Sequence, residues 1–309
     1  MKKYYTFLFS CLSYVVFGQG CSDAGFCTMG AMRPNQAFHK KLTIRLKSVE
    51  ISQYVGRTKF EDKIWATTLD LNFALSNKTY VQFKLPYMLV QGPLATTQGI
   101  GDISLSLTHS LYATEKVQIS ASIGTKIPTN NANFKNTEGR ALPMYYQSSL
   151  GTYDLILGIS LITKKWLFAT GLQHAFNAVD NQFTWGAWKS SEKTAFADIY
   201  PVSNQVKRGT DIMFRAERNF RFARFNFNIG ILPIYRIIAD SFVSPQSQTR
   251  LDVDETKGLA LTILAGAGYR FSTKTGIKAM FGKQVATRYK NLDGLSREEV
   301  FTVGYEYRF

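Results

Sequence analysis

Apolar and polar side chains alternate with a period of two along much of this chain. In residues 103–111 the odd positions are Ile103, Leu105, Leu107, His109 and Leu111, and between them stand Ser104, Ser106, Thr108 and Ser110. Successive side chains of an extended strand point to opposite sides, so this segment predicts a strand with one oily and one polar face. Residues 117–127 repeat the pattern, with Val117, Ile119, Ala121 and Ile123 set against Gln118, Ser120, Ser122 and Lys126. It recurs in 65–75, 81–87 and 259–271, and more weakly in 42–54, 149–162, 166–176, 212–218, 222–238 and 276–286. These segments exceed the five or six residues common in soluble sheets and match the roughly 9 to 11 residues of a tilted membrane-crossing strand. Their oily faces are expected to meet lipid.

The links between segments alternate in length. Short ones fall near 76–78, 113–116, 163–165, 218–221 and 272–275, and longer polar ones near 56–63, 91–99, 130–147, 177–209, 239–256 and 287–298. Tight periplasmic turns and long outer loops give this pattern, so the expected fold is all-β, a transmembrane antiparallel up-and-down barrel of about twelve strands. The final segment places Phe301, Val303, Tyr305, Tyr307 and Phe309 on one face. It resembles the C-terminal strand signal by which outer-membrane barrels are recognised for assembly, which makes Tyr305, Tyr307 and Phe309 candidate contacts for the barrel-assembly machinery.

Composition and charge refine this picture. Of 309 residues 45% are hydrophobic and 19% charged, which excludes wholesale disorder, and 23 Phe with 16 Tyr favour strands. Lys2, Lys3, the apolar run 4–17 and the small residues Gly18 and Gly20 read as a secretory signal over 1–20, shorter than the ~20 residues of a spanning helix. Residues 21–40 then form a periplasmic or lumen-plugging segment, and 41–309 the barrel of a Gram-negative outer membrane. Cys21 and Cys27 suit a small disulfide loop in an oxidising compartment, with acylation of Cys21 as the competing reading. The net charge of +15 becomes +13 without Lys2 and Lys3. Its cations are scattered and export disfavours nucleic acid, so outer-membrane lipid and small solutes are the expected partners.

The segments Gly99-Ile100-Gly101-Asp102-Ile103-Ser104-Leu105 and Ile123-Gly124-Thr125-Lys126-Ile127-Pro128-Thr129 resemble a strand pair of the meta-pathway phenol-degradation transporter family, relatives of the FadL-like barrels. Asn130 stands where that family usually has Gly. The resemblance covers about the central third of the chain and implies outer-membrane uptake of small, often hydrophobic compounds.

The candidate chemistry is therefore that of a lumen. The alternation puts Arg45, Lys47, Lys84, Lys126, Arg215, Arg224, Arg270, Lys278 and Arg308 inside, with Asp70, Asp102, Asp154, Asp211, Glu217 and Glu306. The excess of cations predicts mild anion preference, and the acid–base pairs are expected to be solvated braces of a narrow path. His39, His109 and His174 are the only histidines. The register puts His109 and His174 outward and His39 before the barrel, so no enzyme is expected, and neither a cofactor nor a metal. Phe183-Thr184-Trp185-Gly186-Ala187-Trp188 lies in the longest loop, either folded inward as a lid or ligand contact, or as a headgroup-level girdle or packed loop cluster. The reading is a channel or transporter for small, possibly hydrophobic or aromatic, solutes. A non-transporting structural or assembly subunit is the alternative, and a barrel hydrolase the weaker one.

Overall fold

A computed structural model describes residues 44–309. Its strands are β1 (Arg45–Arg57), β2 (Lys63–Ala74), β3 (Thr79–Gln91), β4 (Thr96–Ile100), β5 (Ile103–Ala113), β6 (Val117–Ile127), β7 (Asp154–Thr163), β8 (Trp166–Ala175), β9 (Asp211–Arg221), β10 (Phe225–Arg236), β11 (Asp240–Val243), β12 (Arg250–Val253), β13 (Gly258–Arg270), β14 (Thr275–Ala286) and β15 (Glu299–Arg308). Every pairing is antiparallel, and β1 pairs with β15 from Ser48↔Arg308 to Arg57↔Glu299, which closes a barrel of twelve wall strands. The short β4 extends the wall beside the end of β3, and β11–β12 is a separate hairpin in an outer connection. Closure leaves the wall without free edges, as a bilayer requires of a strand-built span.

The predicted alternation sorts the side chains. Ile51, Ile159, Phe214, Ile229, Ile263 and Phe301 all point outward and are exposed. So continuous an apolar belt has no stable contact with water, and lipid covers it: this is a multi-pass outer-membrane barrel. At the end bearing the tight turns the belt becomes aromatic, with Phe225, Tyr269 and Phe271 in successive ring contact and Tyr307 against Phe309. Arg218 lies over Trp166 at 5.1 Å at the same level. Such amphipathic rings and a stacked guanidinium suit the headgroup layer.

Four of the five tight turns share one device. The hydroxyls of Ser76, Thr114, Thr163 and Ser272 each accept from the backbone N–H two and three residues on. The third residue of each turn is Lys78, Lys116, Lys165 or Lys274, and Arg224 takes the corresponding place in the fifth. A Ser/Thr-x-Lys spacing thus reverses the chain and sets a cation at the periplasmic rim.

Three details depart from the sequence expectation. The turn expected at 218–221 lies at 222–224, because β9 keeps its ladder to β10 as far as Arg221. Part of the link at 91–99 is strand, since β4 pairs back on β3. In β1 the register shifts between Leu46 and Ser48, so Lys47 falls on an irregularity and Ser48, Glu50 and Tyr54 face inward beyond it. Lys47 is therefore removed from the inward set and Glu50 added to it. The expected signal (1–20), the 21–40 segment, the Cys21–Cys27 pair and His39 lie outside the described residues.

Candidate functional site

Twelve strands enclose a lumen that inward side chains narrow. Its wall is divided chemically by the inward residues of neighbouring strands. On β5 to β7 these are small hydroxyls, with Thr108 Oγ1 2.8 Å from Ser122 Oγ and Ser106, Ser120 and Ser160 beside them. From β7 across β8, β9, β10 and β13 runs an apolar strip of Ile162, Leu167, Ala169, Met213, Leu232 and Leu264.

The outer half is closed by its own connections. Tyr146 and Tyr200, from the connections at 128–153 and 176–210, both donate to Asp62 Oδ1 at 2.8 and 2.7 Å. Thr58 donates to Asp62 Oδ2 at 2.9 Å, and the Leu94 N–H donates to Tyr146 Oη at 3.2 Å. Four connections are thereby joined at one carboxyl. Burial raises the Asp62 carboxyl above its ordinary value, against the hydrogen bonds from Tyr200, Tyr146 and Thr58. Burial, then the charge of Asp62, pushes both phenols well above their ordinary range, so they remain donors. Around this latch pack Phe183, Trp188, Leu142 and Tyr145, with the Trp188 indole N–H on Ala141 O at 3.0 Å. In the aromatic loop stretch Phe183 and Trp188 are buried in a cluster with residues of other connections and of the wall, while Trp185 stays half exposed.

Beneath the aromatic lid lies an ion network. The guanidinium of Arg236, 0% exposed, holds Asp211 by Nε and Nη2 at 2.8 Å each, Asp240 by Nη1 at 2.6 and 2.5 Å, and Asp293 by Nη2 at 2.9 Å. Arg208 binds Asp154 at 2.7 Å and approaches Asp293 at 3.6 Å, and Arg288 binds Asp211 at 3.1 Å. Asp293 is held far below the ordinary carboxylate range: burial opposes ionisation, but Arg236, Arg208 and Arg288 outweigh it. Asp240 is raised by burial and by Asp293, which Arg236 only partly offsets. The network ties strands β7, β9 and β10 to three outer connections. Buried ionic clusters add little net stability against apolar packing but tolerate few alternative arrangements, so this one selects a single loop conformation.

The two segments that resemble the transporter family are the anchor of the 128–153 connection. β5 pairs with β6 from Ile103↔Ile127, and Thr129 Oγ1 donates to Gly101 O. Asp102 accepts from Ser149 Oγ at 2.6 Å and from the Leu150 N–H at 3.2 Å. A Cβ at Gly99 would stand 2.7 Å from Ser148 Cβ, so glycine is what lets the connection descend against β4. Burial raises the Asp102 carboxyl, with Lys126 the main opposing influence.

Of the other predicted lumen residues, Lys126 and Asp154 are register partners on β6 and β7, and both are buried. Arg215 faces inward on β9 and donates to Glu217 Oε1 at 2.6 Å. Lys84 on β3 meets Asp70 at 3.2 Å. Arg45 pairs with Ala74 at the periplasmic rim and is exposed. Arg224 belongs to the β9–β10 turn and not to a strand, and Arg270 ends β13 beside it, its N–H on Arg224 O at 2.9 Å. The expectation of solvated braces is corrected at the outer end, where Arg208, Asp154, Arg236 and Asp293 are at most 2% exposed because the connections cover them. Sequence reasoning missed Arg208, Asp240, Asp293 and Asp62, which lie in connections and carry no periodic signal. His109 and His174 face outward, hydrogen-bonded to Thr79 at 2.9 Å and Thr210 at 2.8 Å. Tyr305 and Tyr307 face outward on β15, and Phe309 follows them, its N–H on Lys47 O at 3.0 Å.

The periplasmic half holds a cavity of about 550 Å³. Inward positions of β13 and β14 there are Gly266, Gly268 and Gly276, and the carboxamides of Asn228 and Asn226 lie flat where side chains on Gly266 and Gly268 would stand. The Asn carboxamides thus fill the space over Gly266 and Gly268, and the cavity lies beside them.

No protein-family model and no curated protein matches this sequence. Among solved structures the chain is similar to an outer membrane channel from Pseudomonas putida F1, at 13% identity and a TM-score of 0.60, over 90% of this chain and 100% of that one. It is also similar to the NanC porin (10% identity, TM-score 0.47, 86% and 100% covered) and to the CymD monoaromatic hydrocarbon channel (10%, 0.42, 96% and 99%). At such identities the first likeness establishes the barrel fold and no more.

Proposed function

We propose that this protein is an outer-membrane channel for small, hydrophobic or aromatic, solutes, held shut at its outer mouth by its own connections. The observation that carries the reading is the division of the lumen. A cavity open toward the periplasm continues into an apolar strip, and between that strip and the outside stand the ion network and the aromatic lid, which a loop movement would displace. A barrel serving only as a scaffold has no need of a cavity that leads into an apolar strip. The resemblance of Gly99–Gly101, Asp102 and Ile123–Thr129 to the phenol-degradation transporter family supports uptake of hydrophobic compounds, and the apolar strip gives such a compound a surface to follow.

The test is passage through proteoliposomes. Wild-type protein should admit small aromatic solutes slowly and exclude oligosaccharides, and loosening the lid should quicken entry. If neither wild-type nor loop-released protein passed any small solute, the channel reading would give way to a structural or assembly role.

A further inference from the structure

The periplasmic cavity has a chemistry of its own. Around its mouth stand Arg221, Arg224, Arg270 and Lys274, supplied by the ends of β9 and β13 and by the two turns that follow them. The acid in its lining, Glu306, is already committed to Lys278 at 3.1 Å and Arg308 at 2.8 Å, and Lys278 also meets Glu50 at 3.0 Å. Among the described residues the four rim cations have no side-chain hydrogen bond or ion pair. Four like charges around one space repel each other, and an anion between them relieves that cost. On the far side the cavity is lined by Ile162, Leu167 and Met280, the first two being the lower end of the apolar strip.

Three occupants can be weighed against this arrangement. A neutral hydrocarbon would gain from the apolar side and nothing from the cations. An inorganic anion would use the cations and leave the apolar side idle. The segment before β1 is the third, but residues 21–43 carry Arg33, Lys40 and Lys41 against Asp23, the same sign as the site. We infer that the cavity is a binding site for a small monocarboxylate with an apolar body, aromatic or short-chain aliphatic, its carboxylate held by Arg224 and Arg270 and its body against Ile162, Leu167 and Met280. A volume of about 550 Å³ is ample for such a ligand. Guanidinium groups suit the task because their forked donors match a carboxylate. The inference rests on the channel reading, for which it names a solute class.

The probe is benzoate, titrated calorimetrically into the full mature chain in nonionic detergent at low ionic strength, with benzamide and inorganic phosphate as controls. Benzoate should bind saturably, benzamide about tenfold or more weaker because it loses the charge-assisted hydrogen bonds, and phosphate about tenfold or more weaker because it leaves the apolar side uncovered. The double variant Arg224→Gln/Arg270→Gln should weaken benzoate by at least about tenfold and leave benzamide unchanged. Retained heat-modifiability on a gel shows that this barrel is folded, and Arg221→Gln/Lys274→Gln, at exposed positions, serves as a second variant. Benzamide or phosphate binding as well as benzoate would overturn the inference, as would unchanged benzoate affinity in the folded double variant. Solute passage measured on the same preparation separates the two readings. Passage without benzoate binding sinks the site and leaves the channel; benzoate binding without passage leaves the site and sinks the channel.

Discussion

Replacing Arg236 with methionine removes the hub of the buried network while keeping much of its volume. Five N–H···O contacts to Asp211, Asp240 and Asp293 disappear together, all between side chains no more than 9% exposed. Breaking a buried pair from one side costs about 3–5 kcal/mol, mainly because the remaining charge stays buried without compensation. Here Asp211 and Asp293 retain Arg288 and Arg208, whereas Asp240 loses its sole ion-pair partner among the described residues. The wall does not bear this cost, because β10 keeps its backbone ladders to β9 and β13. The connections bear it. A cost of about 4 kcal/mol shifts the ratio of closed to released connections roughly 10³-fold toward release.

Arg236→Met should therefore stay heat-modifiable, conduct more than wild type in planar bilayers, and be cut faster by trypsin at Lys207, Lys257 and Lys290. Arg236→Lys, which keeps the charge but loses the fork, should fall between the two. Removing Arg236 together with Asp240 in favour of apolar residues should cost much less than the single change, because Asp211 keeps Arg288 and Asp293 keeps Arg208 while the stranded Asp240 charge is gone. The reasoning is refuted if folded Arg236→Met matches wild type in both conductance and trypsin sensitivity, or if the apolar double variant at Arg236 and Asp240 is more open than the single one.

Three further outcomes are expected. Released connections carry carboxyls at their ordinary value of 3.8, and Asp293 lies well below it when closed, so its contribution is complete above that value and is lost as pH falls beneath it. Asp62 and Asp240, raised when closed, act in the opposite sense and weaken closure as pH rises through their closed-state values. Conductance should thus be lowest at about pH 4 and climb below it, and Asp293→Asn should shrink the acid limb. Gly99→Val places a branched side chain where Ser148 packs, and should speed proteolysis within 128–153 by at least about tenfold, as overpacking costs ~1–3 kcal/mol. Deleting Phe309 should lower the yield of membrane-inserted barrel and leave the heat-modifiability of the inserted fraction unchanged; equal yield would remove Phe309 from the assembly signal.

The wall was legible in the sequence because lipid and lumen impose opposite chemistry on alternate residues, and 103–111 or 259–271 state that alternation residue by residue. It blurred where the backbone broke period. The irregularity at Leu46/Ser48 inverts the facing of β1, and nothing in the local sequence announces it. The turns had a signal that a period-of-two reading passes over, the repeated Ser/Thr-x-Lys at 76–78, 114–116, 163–165 and 272–274. Arg236 shares the inward parity of Asn226 and Asn228 and was within reach of the same argument.

The lid was not legible, for a physical reason. Asp62 meets Tyr146 across 84 residues and Tyr200 across 138, in connections without periodicity, so no local pattern records the encounter. A barrel wall satisfies its backbone strand by strand and leaves its connections free to vary. Whatever distinguishes this barrel from another of twelve strands must therefore be written in the connections and in the inward positions they touch. Asp102 shows the join between the two: it opens β5, where the family-like motif made it visible, and it is satisfied by Ser149 and Leu150 of a connection nearly fifty residues on. The motif marks where the wall grips the 128–153 connection.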